Sequence, residues 1–242
     1  MSENPTSESY PSGKDYFFRR HPLTDIQVKL SLKVRWRMFL FWKMAAHLQP
    51  GRALTVLDVG TTPDIERADS NCHLKWLLDI GIKPSIYSVE DVSGIAQKIP
   101  GVTAIPFSGN GNRIPIDDQS YDWVFCSATL EHVGNSEKQI AFLRELGRVA
   151  SSVFLTTPNR YHWLEFHTKL PFIHWLPARW HKKILIWLGL AYWADENNLR
   201  LVSKKELHHF SSEALGKAFE IQIKQIFSLG MPSNLVLIAR RK

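Results

Sequence analysis

The run Leu54-Thr-Val-Leu-Asp-Val-Gly60 is apolar until it stops on Asp-x-Gly, and no other feature constrains the fold of this chain as strongly. A short apolar run ended abruptly by glycine reads as a buried strand that hands the backbone to a tight turn. Two comparable runs, Ile86-Tyr-Ser-Val-Glu90 and Trp123-Val-Phe-Cys-Ser127, also end on polar or small residues. Strands of this kind pair in parallel sheets, and open sheets of that class bind ligands in the crevice at their carboxyl ends. A glycine at that edge lets the backbone come close to a ligand. Asp58 and Gly60 from the first run and Glu90 from the second are therefore candidate binding residues, with Asp91 in place of Glu90 if the second strand ends one residue later.

The pattern between and beyond these runs predicts alternating strands and helices. Leu74, Leu77, Leu78 and Ile80 recur at helical spacing within 66–80, and Gly81 follows as a C-terminal cap. Strands are expected at 84–90, 103–107, 123–127 and 152–157, a short helix or turn at 93–99, and a helix at 136–148. Ser203-Lys-Lys-Glu206 is a capping-box pattern that opens a further helix. The last strands, 221–227 and 235–241, are joined by Gly230-Met-Pro-Ser-Asn234, long enough for an antiparallel hairpin and too short for a helical crossover. The expected fold class is α/β, a Rossmann-like three-layer sandwich whose seven-stranded, mostly parallel sheet ends in an antiparallel hairpin.

Three regions frame that core: a solvated tail over 1–14, a helical segment over 15–50, and the main domain over 51–242. Apolar and polar residues alternate over Val28 to Arg37, a strand signal. Helix is favoured because strong helix formers continue to Leu48, Lys29, Lys33 and Arg37 stack at intervals of four, and Pro50-Gly51 supplies a stop. An insertion at about 159–200 is crowded with aromatics and with His162, His167, His174 and His181, and is read as a lid or substrate-side insertion containing one apolar helix near Ile184 to Trp193. So apolar a segment needs a cover, from its own helices, another subunit or a lipid.

A formal net charge of +7 favours an anionic partner. Basic residues interleave with Trp36, Phe39, Phe41 and Trp42, which reads as an amphipathic helix on the core or as an anchor on an anionic membrane. No apolar stretch is long enough to cross a bilayer, and the tail lacks the apolar core of a signal peptide. With only Cys72 and Cys126, no disulfide framework is expected and the chain is placed in the cytoplasm, at most peripheral to the inner face of the membrane.

With the strands placed, the chain resembles the class I S-adenosylmethionine-dependent methyltransferases. The resemblance runs from about Leu54 to Lys242 and rests on Val56-Leu-Asp-Val-Gly60, Glu90-Asp91, the long segment from Ile114 to Val133, and Leu155-Thr-Thr-Pro-Asn159. Thr-Thr-Pro-Asn-Arg followed by a His/Phe/Leu-Pro-rich stretch is similar to bacterial members linked to polysaccharide and cell-envelope glycan synthesis. The resemblance implies S-adenosylmethionine as cofactor, held by Asp58, Gly60, Thr61, Glu90, Asp91, Asn110, Gly111 and Ser127. Two departures stand out. Gly60-Thr-Thr-Pro-Asp64 lacks the family's second and third glycines, and Asn110 stands where an aspartate is expected to contact adenine.

The sulfonium already makes the methyl group electrophilic, so the protein has to position a nucleophile and exclude water. An oxygen acceptor also needs its proton removed. The candidate catalytic residues are His132, just after the fourth strand, and Glu165 and His167 in the insertion. The spacing of the histidines gives no zinc pattern, so no metal is expected. The expected reaction is O- or N-methylation of a small molecule or glycan precursor. The alternatives are a non-catalytic binding module of the same fold and a nucleic-acid methyltransferase, although nucleic acid is not the expected partner.

Overall fold

In the computed structural model, which describes residues 24–47, 53–108 and 113–242, strand β1 (Val56–Val59) is buried along its whole length. Its residues alternate between faces with the period of two of an extended strand: Leu57 and Val59 join one core, Val56 the other. Around it lie β2 (Ser85–Tyr87), β3 (Thr103–Ala104), β4 (Tyr121–Ser127), β5 (Ala150–Pro158), β6 (Phe219–Ser228) and β7 (Met231–Arg241). They form one seven-stranded sheet in the order β3-β2-β1-β4-β5-β7-β6. β1 to β5 pair in parallel, whereas β7 runs antiparallel to both β5 and β6. This is the expected fold class, and its chain order reverses direction between β1 and β4, which places the ligand crevice at their carboxyl ends.

Helices cover both faces. α4 (Ser136–Val149) and α6 (Lys204–Leu215) bury Leu143, Leu146, Leu207 and Phe210 against Val124, Val153 and Leu237. Asn135 caps α4 by accepting from Lys138 N, and the capping box Ser203/Glu206 opens α6 as its sequence predicts. α1 (Thr24–Ala46) and α2 (Cys72–Asp79) cover the other face, and α3 (Ser93–Lys98) packs Ile95 beside Ile86 and Leu74.

α1 is helical because its apolar stripe is Val34, Met38, Trp42 and Ala45, a spacing that faces one side only in a helix. Trp42 and Phe39 are fully buried among Trp123, Phe125 and Phe154, each contributing roughly 1.5–3 kcal/mol on hydrophobic transfer alone. Arg35 Nη1 donates to Ser127 Oγ at the carboxyl end of β4, while Arg240 donates to the Ala45 carbonyl at the opposite edge. α1 therefore runs against the direction of β4. The residues before Arg35 overhang the crevice by roughly 16 Å at 1.5 Å per residue.

Several boundaries differ from expectation. α2 begins at Cys72 because Thr62, Asp64 and Asn71 tie the preceding segment into turns: Asn71 Nδ2 donates to the carbonyls of Thr62 and Asp64, and Asp64 accepts from the Glu66 amide. The final hairpin turns at Leu229-Gly230, both with positive φ (51° and 82°), so 231–234 belong to β7 rather than to a loop. Two central residues with positive φ match the twist of paired strands, and the bulge between Ile226 and Phe227 adjusts the register. In the insertion the helix is α5 (Ala178–Trp187), ended by Gly189, and Ala191–Ala194 form a 3-10 turn. The expected tail at 1–14 lies outside the described residues, as do Asn110 and Gly111.

Candidate active site

At the end of β1, Asp58 is almost fully buried and is engaged by its own neighbours. Thr61 Oγ1 donates to Oδ2, and His73 Nε2, from α2, lies 2.8 Å from Oδ1. The His73 ring stacks on Phe125 at 4.6 Å. Burial alone would lower the His73 pKa, but the Asp58 carboxylate overrides it and holds the imidazole up at about 9. Asp58 and His73 thus form a buried ion pair that fixes the β1 turn to α2. Sequence reasoning missed His73, although a histidine between Cys72 and Leu74 on the buried side of a helix was a visible signal.

Gly60 adopts φ +91°, and its amide donates to Tyr87 O at 2.8 Å. A Cβ here would lie 2.1 Å from Thr129 Oγ1. The close approach assigned to a ligand is made by Thr129, which locks the turn after β1 to the turn after β4. The missing glycines of this loop are replaced by the hydrogen bonds of Thr62, Asp64 and Asn71, which shape the backbone with side chains instead.

At the end of β2, Ser88 is buried while Glu90 and Asp91 are exposed at the rim. Asp91 Oδ1 accepts from the Ser93 amide, and this bond holds its carboxyl below the ordinary value. The buried Tyr87 hydroxyl has no hydrogen-bond partner among the described residues, and the exposed Phe107 lies 6.3 Å from the Tyr87 ring. Rim carboxylates can accept from a ribose diol, and an orphaned hydroxyl beside an exposed aromatic face suits a nucleoside, so this part of the crevice fits an adenosyl group. Ser127 Oγ accepts from Arg35 Nη1 at 3.0 Å and from Thr156 Oγ1 at 3.2 Å. Arg35, half-buried and bonded among the described residues to the hydroxyls of Ser31 and Ser127, is a cation at this edge that its basic surroundings in the sequence concealed.

The carboxyl ends of β4 and β5 bring His132, Glu165 and His167 together and add Glu131. Leu130–His132 is a 3-10 turn pinned by the buried Gln139, whose Nε2 donates to the carbonyls of Leu130 and Arg200. His132 Nδ1 donates to the Asn198 carbonyl at 2.7 Å, and its ring meets His167 edge-on at 4.9 Å. Desolvation of the ring and the neighbouring His167 push the His132 pKa down. Glu165 accepts from His167 Nδ1 (2.7 Å), His167 N (3.0 Å) and Thr168 N (2.6 Å). Burial opposes its ionisation, but His167 and these donors hold it down at about 2. Burial would lower His167, yet Glu165 raises it. Glu165 is thereby committed to orienting His167. A separate cleft of about 770 Å³ lies at the amino ends of β1 and β2, lined by Val56, Lys83, Ser85 and Tyr121, away from all of these residues.

A family model described as a methyltransferase domain (Methyltransf_11) matches residues 80–152, from the turn after α2 into β5. No curated protein matches by sequence. Among solved structures, magnesium protoporphyrin IX methyltransferase from Synechocystis PCC 6803, with bound SAH (S-adenosylhomocysteine), superposes with a TM-score of 0.56 at 15% identity, covering 93% of this chain and 89% of that one. A SAM-dependent methyltransferase from Aquifex aeolicus gives 0.51 at 16% identity over 92% and 94%. A putative sarcosine dimethylglycine methyltransferase from Galdieria sulphuraria gives 0.54 at 13% identity over 86% and 84%. The fold is that of the class I S-adenosylmethionine-dependent methyltransferases, and with the matched domain it indicates methyl transfer as the activity and S-adenosylmethionine as the cofactor.

Proposed function

We propose that this chain methylates an oxygen or nitrogen of a small molecule or glycan precursor, working against an anionic membrane surface. The adenosyl group is held at the rim by Glu90 and Asp91 with Phe107 beside it, and the carboxylate of the cofactor meets Arg35 at Ser127. Bound there, S-adenosylmethionine supplies an electrophilic methyl group. Asp58, Gly60 and Thr61 shape the turn that receives it. The acceptor lies against His132 and His167, with Glu165 positioning the His167 ring.

The observation that carries the acceptor reading is the convergence of His132, His167 and two buried carboxylates, Glu131 and Glu165, at the carboxyl edge beside the β1–β4 switch point. The membrane reading rests on the insertion. α5 buries only Leu185, while Trp180 is 51% and Trp187 83% exposed, with Ile186 and Leu188 beside them. Arg179 and Lys183 lie 5.8 and 5.5 Å from the Trp180 ring. Indoles interleaved with cations suit the boundary between acyl chains and anionic headgroups. Among the described residues no helix is long and apolar enough to cross a membrane.

The test is transfer of labelled methyl from S-adenosylmethionine into extracts of the source cell, separated into water-soluble and lipid-linked fractions. Label in a lipid-linked glycan or small-molecule fraction supports the proposal. Label found only in nucleic acid, or none in any fraction, would refute it.

A further inference from the structure

We infer that Glu131, His132 and His167 form a binding site for a first-row divalent cation on the acceptor side of the crevice. Their potential ligand atoms all lie within 4.8 Å of one another. Glu131 is fully buried; Thr157 Oγ1 donates to its Oε2 at 2.9 Å, while Oε1 has no hydrogen-bond partner among the described residues. Stranding a buried acceptor costs about 1–3 kcal/mol, and more for a charged one, so an orphaned carboxylate oxygen calls for a positive ligand. Glu165, the other buried carboxylate here, is matched by three donors and needs none.

Each prospective ligand is already held from behind. His132 Nδ1 is bound to the Asn198 carbonyl, His167 Nδ1 to Glu165, and Glu131 Oε2 to Thr157. Outer partners of this kind orient metal ligands and set the tautomer of metal-binding histidines. Although neighbouring atoms desolvate its ring, His132 is exposed to solvent, which opens the cluster to ions. Two imidazoles and one carboxylate favour Mn²⁺, Fe²⁺, Co²⁺ or Zn²⁺ over Mg²⁺ and Ca²⁺, which prefer all-oxygen sites. Three protein ligands leave open positions.

The role of the cation rests on the methyl-transfer reading; its binding does not. An acceptor with adjacent oxygens, such as a vicinal diol, would chelate it at the open positions. The bound hydroxyl releases its proton to water, its oxygen forms a bond to the methyl carbon as the carbon–sulfur bond breaks, and the products are a methyl ether and S-adenosylhomocysteine. Histidine spacing along the chain pointed away from a metal because these ligands come from two separate segments, the turn after β4 and the insertion.

The full chain, stripped with a chelator, is titrated with Co²⁺, followed by visible absorption, and with Mn²⁺, followed by loss of the free-ion EPR signal. One equivalent of Co²⁺ should bind. Glu131→Gln and His132→Ala should each weaken binding by about tenfold or more, Thr157→Val by about 10–100-fold, and the exposed His208→Ala should leave it unchanged. Circular dichroism confirms that each variant is folded, and the surface position of His132 keeps the test decisive if Glu131→Gln does not fold. No binding at about millimolar ion, or affinity unaffected by both ligand substitutions, overturns the inference, since a Kd of that order corresponds to only about 4 kcal/mol. Calorimetry with S-adenosylhomocysteine on the same samples separates the readings. Nucleoside binding without cation binding removes only this site, and cation binding without nucleoside binding retains the site and removes methyl transfer.

Discussion

Helices α1 and α5 draw on the same residue types, tryptophan and aliphatics interleaved with lysine and arginine, yet they end in opposite environments. α1 sets Phe39 and Trp42 at 1% and 0% exposure against the sheet. α5 leaves Trp187 at 83% and buries a single residue, Leu185, in a small separate core with Leu190, Trp193, Leu199 and Leu201. Composition is therefore silent about which segment is covered by the sheet and which is left exposed. What decides is whether the apolar stripe is in phase with a sheet face wide enough to cover it. The early basic and aromatic segment, an anchor candidate from sequence, sets Phe39 and Trp42 in the core while Trp36, Leu40 and Met44 stay exposed; the most exposed indole, Trp187, belongs to the insertion.

The largest expected effect falls on the buried helix. Trp42→Ala should cost about 3–5 kcal/mol by denaturant unfolding, because it empties a site ringed by Trp123 and Phe125. A loss as small as that of a surface substitution would mean that α1 is not docked. Next comes the ion pair beneath it. The folded-state pKa of His73 stands above its unfolded value, so its contribution is fully present below about pH 6.5 and is lost as pH rises through about 9. That amounts to roughly 3 kcal/mol, read as a falling denaturation midpoint that His73→Phe should flatten. Stability rising over that range would contradict the pairing.

Smaller effects complete the contrast. Ser203→Ala, which removes half of the capping box of α6, should cost about 1 kcal/mol. Trp180→Ser with Trp187→Ser should change stability by within about 0.5 kcal/mol each while sharply reducing flotation with anionic vesicles. If the double variant floats as well as the parent, the exposed face of α5 serves something other than lipid.

The framework was legible wherever a local pattern has one structural solution: apolar runs ending in small residues, the Ser203/Glu206 capping box, and the apolar face of α4. Boundaries failed where side chains replaced the usual backbone residues. Asn71 in a left-handed conformation delays α2, and Leu229 at φ 51° moves the hairpin turn, because neither residue type announces a positive φ as glycine does. Within the site, Asp58, Glu90 and Asp91 could be placed from topology alone, since a parallel sheet fixes where its strand ends lie. The partner of Asp58, the place of Glu131 between two histidines, and the reach of Arg35 to Ser127 depend on tertiary contacts between distant segments. No spacing rule along the chain encodes those contacts.

The claim on which the account turns is that the carboxyl edge around the β1–β4 switch holds an adenosyl cofactor. Calorimetric titration of the full chain with S-adenosylhomocysteine tests it most directly. Saturable binding of one molecule, weakened by Asp91→Ala and by Arg35→Ala in folded protein, is the predicted result. Absence of heat at millimolar nucleoside, or binding indifferent to both substitutions, would contradict it.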